Sequence, residues 1–205
     1  MSYFDEVTVS GNVRVSGVSL FETKSVNASG NPIGIDTNTR AQIGIDYAHH
    51  EIHDGGHYHV QGYLELSSGQ QWRASFKTPS GAEQLHFLYD IKSTGICTSY
   101  FDEAASGGMS GGVSVTPLNN NRNFADASVV MFSGNVGPAS GYTMRLENDK
   151  WGADGFKENI GGGAGRDDEL VLKEDTTYMR TFISGADDNI IQFKASWYEH
   201  TPKTD

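Results

Sequence analysis

The sequence has one cysteine, five prolines and no run of basic residues long enough to make a positive patch. Cys97 alone forms no intrachain disulfide, and its setting in Gly95–Phe101, a strand-like stretch, reads as a small buried hydrophobe. Scarce proline beside 25 glycines suits short strands joined by tight turns. No apolar run approaches the roughly 18 residues of a membrane span. The opening Met1-Ser-Tyr-Phe-Asp-Glu6 has neither a basic nor an apolar region, so neither a signal peptide nor a membrane anchor is expected. The net charge of −11 repels phosphate backbones and anionic bilayers, so neither nucleic acid nor membrane is an expected partner. These features fit assembly in a reducing cytoplasm.

What is present is enough apolar residue for a packed core: 37% hydrophobic and 11% aromatic, which argues against wholesale disorder. Near the start, Val7-Thr-Val-Ser-Gly-Asn12 is echoed by Val13-Arg-Val-Ser-Gly-Val18. Valine alternates with polar residues at the period of a strand. Ordering about twenty such residues costs more backbone entropy than burying a few aliphatic side chains returns. The segment is therefore expected to dock, and Val7, Val9, Val13 and Val15 are candidate oligomer or partner contacts. The polar stretch Thr23–Arg40 reads as a connection, so residues 1–40 form an N-terminal β arm and linker.

From Ala41 to Asp205 the pattern is that of a body built from strands. Ile43, Ile45 and Tyr47 alternate, as do Val60, Gly62, Leu64 and Leu66, then Trp72, Ala74 and Phe76, then Leu85, Phe87, Tyr89 and Ile91. Further strands are expected at Ser128–Phe132, at Tyr142, Met144 and Leu146, and at Leu170 and Leu172. Glycine-rich loops are expected at Ser106–Gly112 and Gly161–Gly165, and a polar apex at Asn119–Asn123. Tyr178–Ile183 and Ile191–Trp197, joined by Ala186–Asn189, read as a terminal hairpin. About nine or ten strands with no helical period predict an all-β fold, a β-sandwich or jelly roll with an extended N-terminal arm.

The densest chemistry lies in His49–His59, which holds five of the seven histidines. A zinc-binding helical His-Glu-x-x-His is ruled out by spacing, because His50-Glu51 is followed by His53. Asp54-Gly55-Gly56 reads as a turn between strands, which excludes a helix here. An extended chain would place His49, Glu51 and His53 on one face, and His57 with His59 on one face. The stronger reading is polar strand ends packing across subunits, with His50 and His53 as contact residues and no metal. Gly161–Gly165 precedes no Gly-Lys-Ser/Thr, so a phosphate cradle fails. Acidic pairs such as Asp187-Asp188 lack EF-hand spacing, and no nucleophile elbow is present. No catalytic residue, cofactor site or enzymatic activity is expected; a metal-dependent enzyme using the histidine stretch is the rival considered.

Three segments carry a resemblance: His50-Glu-Ile-His-Asp-Gly-Gly-His-Tyr58, the loop Asn119–Asn123 with Arg122, and the C-terminal block. That block runs from Glu169 to Tyr178, through Asp188–Phe193, to Trp197-Tyr-Glu-His200. Together they resemble tailed-bacteriophage virion structural proteins of the capsid decoration (cement) type, over roughly residues 41–202. The resemblance implies a jelly-roll body, no catalytic residues, and a homotrimer bound to the major capsid protein on the capsid surface of the virion. The arm lies outside it. The alternative is a receptor-binding, glycan-recognising module of a head fibre, tail fibre or spike, with Tyr47, Tyr63, Trp72 or Trp151 stacking on sugars.

Overall fold

The computed structural model describes residues 14–15, 18–19, 47–81, 84–107, 110–152, 160–163 and 168–200. The chain divides into two units, Met1–Asp46 and Tyr47–Asp205. In the first, β1 (Arg14–Val15) pairs antiparallel with β2 (Val18–Ser19), with Arg14 opposite Ser19 and Val15 opposite Val18. Of the candidate arm contacts, Val15 lies in β1, whereas Val7, Val9 and Val13 lie outside the described residues.

The second unit opens with a helix, α1 (Tyr47–Asp54), and continues in twelve strands among the described residues. One sheet comprises β4 (Gln71–Lys77), β6 (Cys97–Glu103), β7 (Val113–Val115), β9 (Met131–Gly134), β10 (Met144–Trp151) and β13 (Thr177–Ser184), in the order β10-β6-β13-β4-β9-β7. The other comprises β3 (His57–Leu66), β5 (Gln84–Ser93), β8 (Leu118–Asn119), β11 (Ile160–Gly163), β12 (Leu170–Leu172) and β14 (Asn189–His200). Its order is β11-β5-β14-β3-β8, with β12 also on β5. All the pairings are antiparallel, and the body is all-β apart from the short helix.

Period-two alternation decides the core. On β5 the buried residues are Leu85, Phe87, Tyr89, Ile91 and Ser93, and β14 buries Ile191, Ala195 and Trp197. The two inner faces meet through rings. Phe76 of β4 stacks with Phe87 of β5 at 4.9 Å, and with Phe132 and Tyr178 at 5.6 Å each. Trp72 lies 5.1 Å from Phe193, and Phe182 lies 5.9 Å from the same ring. Such offset stacks add to the area they bury.

Four sequence expectations are corrected. The helix excluded at the histidine stretch forms, because Gly55 (φ 78°) takes the left-handed position that ends a helix. Its N–H bonds Ile52 O at 3.3 Å and the N–H of Gly56 bonds Glu51 O at 2.9 Å, a Schellman closure rather than a strand turn. Tyr47 therefore begins a helix and does not continue a strand from Ile45. The terminal hairpin does not form: β13 pairs with β4 and β6, β14 with β3 and β5. Their four-residue link crosses between sheets because both strands bury a full face, and fully buried Asn189 fastens the crossing. Its Nδ2 donates to Ile96 O (3.0 Å), and its Oδ1 accepts from Gly95 N (2.8 Å) and Ser93 Oγ (2.9 Å). Finally, Ile160–Gly163 is a strand on β5, so Gly161, Gly162 and Gly163, expected in a loop, instead fill a ladder, while Ala164 and Gly165 lie outside the described residues.

Candidate functional site

Residues 50–58, the loop 119–123 and the end of the C-terminal block, 197–200, meet at one corner of the body. The N–H of Glu199, near the end of β14, donates to Gly56 O at 3.0 Å, joining the C-terminal block to the end of α1. The asparagine-rich loop is a polar turn whose asparagines also clamp the helix end. Buried Asn119 donates through Nδ2 to Gly55 O at 2.7 Å, and Asn121 Nδ2 donates to His53 O at 3.1 Å, so two side chains satisfy backbone at the helix end. Asp126 Oδ1 accepts from Asn119 N and Arg122 Nη1 at 2.6 Å each, which holds its carboxyl below the usual range.

The helix brings His49 and His53 together one turn apart, with their Nε2 atoms 3.0 Å from each other. His50 Nδ1 lies 3.3 Å from Asp54 Oδ2 on the exposed surface. Thus the two predicted contact residues, His50 and His53, stand on the same short helix with different neighbours. Glu51, expected beside His49 and His53, is instead buried against Gly56.

His57 and His59 do share one face, the outer face of β3, as expected from alternation. Asn120 bridges them: its Nδ2 donates to His57 Nδ1 at 2.6 Å, and its Oδ1 meets His59 Nδ1. An imidazole nitrogen that accepts a hydrogen bond must be unprotonated. Burial, with Lys194 and His59 nearby, lowers the His57 pKa to about 4, against the partial opposition of Glu169. Cross-strand register then continues the row. Tyr198 sits opposite His57 on one side and His86 on the other, and stacks on His86 at 4.4 Å. The Tyr198 hydroxyl donates to Glu169 Oε1 at 2.7 Å and lies 2.9 Å from His86 Nδ1, which also contacts that carboxylate. His86, Glu169 and Tyr198 were not singled out as a site, and nothing in their spacing along the chain signals that they meet. Only the strand register does.

Beside this row on the same outer face lies an open groove of about 460 Å³ lined by Gln61, Tyr63, Asp90, Lys92, Gln192 and Lys194. Of the aromatics considered for sugar stacking, Tyr63 stands at this face, 66% exposed. Trp72 is spent between the sheets, and Trp151 is half-buried with its Nε1 donating to Ser99 Oγ at 3.0 Å. Tyr47 opens α1.

Among the described residues no group of three or more His, Cys, Asp and Glu could hold a metal ion, and no helix is long and apolar enough to cross a membrane. No protein-family model, no curated protein and no solved structure matches the chain.

Proposed function

We propose that this chain is a structural protein of a tailed-bacteriophage virion, a capsid decoration (cement) protein that binds the outer surface of the shell as a homotrimer. The observation that carries the reading is how two of the resembling segments and the end of the third are used. Residues 50–58, 119–123 and 197–200 are spent on fastening α1 to β3, β8 and β14, a fold-defining corner of hydrogen-bonded backbone. What resembles virion proteins is thus an architecture, as a structural role requires.

Strand order supports a jelly roll for the body. From β3 to β6 the chain changes sheet at every step, and β13 to β14 changes again. The result places β14 between β3 and β5 in one sheet, and β13 between β4 and β6 in the other, the winding of two Greek keys. Self-association is supported at β7, the outermost strand of its sheet among the described residues, where Val113, opposite Gly134 of β9, is 69% exposed. An edge strand that carries an exposed apolar side chain favours coverage by a second copy, and a closed ring repeats that contact. The arm valines, Val7, Val9, Val13 and Val15, supply the capsid contact in this reading, with His50 and His53 at the subunit surface.

The test is the position and copy number of the chain in an icosahedral reconstruction of purified virions, with the solution mass measured by light scattering. Density at threefold positions and a mass three times 22.3 kDa are expected. A monomeric mass sinks the trimer, and a chain found only at vertices or tail sinks decoration. A second reading, a glycan-recognising module of a head fibre, tail fibre or spike, is favoured by exposed Tyr63 beside the groove.

A further inference from the structure

The groove on the outer sheet face is built from two adjacent cross-strand rows. Gln192 sits opposite Tyr63 on one side and Lys92 on the other; Lys194 sits opposite Gln61 and Asp90. Strand spacing of about 4.8 Å and a two-residue step of about 6.7 Å give these six side chains a patch about 10 Å by 7 Å. The groove volume falls within the range of about 300–1,000 Å³ usual for small-ligand sites, yet its walls are amide, carboxylate, ammonium and phenol. A partner made of hydrocarbon would leave those groups unsatisfied.

Asp90 supplies an acceptor at the groove. Its side chain is 39% exposed and its Oδ1 is buried, so the carboxylate oxygen open to a ligand hydroxyl is Oδ2, which lies 3.8 Å from Lys92 Nζ.

We propose that this groove is a saccharide-binding site. A pyranose ring presents an apolar C–H face and a rim of hydroxyls. The exposed Tyr63 ring suits the first. The planar amides of Gln61 and Gln192, each offering a carbonyl acceptor beside an N–H donor, and the acceptor Oδ2 of Asp90 suit vicinal hydroxyls. Lys92 and Lys194 add donors that also accommodate an acidic sugar. Nucleic acid fits poorly, because the chain is acidic and the carboxylate of Asp90 lies beside both lysines. This deepens the glycan-recognising reading without depending on where in a virion the chain resides.

The experiment uses the purified full-length chain on a printed array of neutral and uronic-acid-containing bacterial oligosaccharides, with any bound sugar titrated by calorimetry. Tyr63→Ala, Gln192→Ala and Asp90→Ala are compared with Tyr142→Ala, which lies outside the groove. At least one saccharide is expected to bind more tightly than about 1 mM. Each groove variant should weaken it at least about tenfold, with melting temperature unchanged for the exposed Tyr63 and Gln192 variants. No retained saccharide, or groove variants that bind as the wild type does, overturns the site. Virion position is read separately by reconstruction, so failure of the decoration reading and failure of this one are distinguishable.

Discussion

Arg180 Nη1 meets Glu147 Oε2 at 2.5 Å between the two sheets, and Arg180 is only 2% exposed there. The guanidinium also lies 4.4 Å over the Tyr89 ring and 5.3 Å from that of Phe101. Glu147 reaches this place because β10 slips register between Arg145 and Glu147, a bulge that sets Glu147 opposite core-facing Phe101. Arg145 meanwhile pairs on the outer face with Asp102, Nε to Oδ1 at 2.7 Å.

Removing one partner of such a pair strands a buried charge. Glu147→Ala is expected to cost about 3 kcal/mol, the lower end for buried pairs because the carboxylate keeps partial contact with water. The double variant Glu147→Leu with Arg180→Met should recover most of that loss, since an apolar replacement needs no desolvated charge. Urea unfolding followed by tryptophan fluorescence reads both; a single-variant loss below about 1 kcal/mol would show that the pair is not coupled to folding.

Gly55 is the second pressure point. It has φ 78°, and a Cβ there would sit 2.5 Å from the Phe124 ring. Gly55→Ala is expected to destabilise by about 2 kcal/mol, a drop in melting temperature of about 4–8 °C. Adding Phe124→Ala relieves the clash but not the dihedral strain, so the double variant should not return to the stability of Phe124→Ala alone. If it does, the backbone conformation at residue 55 carries no cost.

The strands were legible because burial imposes a period of two: Leu85, Phe87, Tyr89 and Ile91 alternate in sequence and in the core alike. The helix at Tyr47–Asp54 was not, since its residues carry no apolar stripe and its stability comes from a cap supplied by Asn119 and Asn121, far along the chain. The dipeptide Gly55-Gly56 serves a turn or a Schellman closure equally well, and only the distant asparagines decide. The link Gly185–Asp188 reads as a hairpin turn until one asks which faces are buried on both sides of it. The bulge at Leu146 likewise hides in a pattern that looks regular, placing a carboxylate where alternation promised leucine. The groove and the row from His57 to Glu169 were illegible for another reason: their members sit on separate strands, and pairing register is not written in local periodicity.

Cys97 should be inert in the native chain. It is fully buried, and burial pushes its thiol up to about 11, so little thiolate exists at neutral pH. Ellman's reagent is expected to modify it only after denaturation, giving one thiol per chain. Prompt reaction under native conditions would mean that the β6 end of the body opens readily.

His57 makes stability depend on pH in a definite direction. Its pKa falls from an ordinary 6.5 to about 4 in the folded chain, chiefly through burial and further through Lys194 and His59. Between these values the unfolded chain binds the proton and the folded chain does not, so stability decreases as pH falls from 6.5 towards 4. Protonation would also break the bond from Asn120 Nδ2, because the imidazole nitrogen would no longer accept it. The contribution is at most about 3 kcal/mol. Carboxylates as a class titrate in the same window, so the wild type alone is not diagnostic. His57→Gln removes the titration and retains polar character, and the difference between wild type and variant in urea unfolding free energy should shift steadily between pH 7 and pH 4. A difference that stays constant across that range would mean that His57 is not held neutral by the fold.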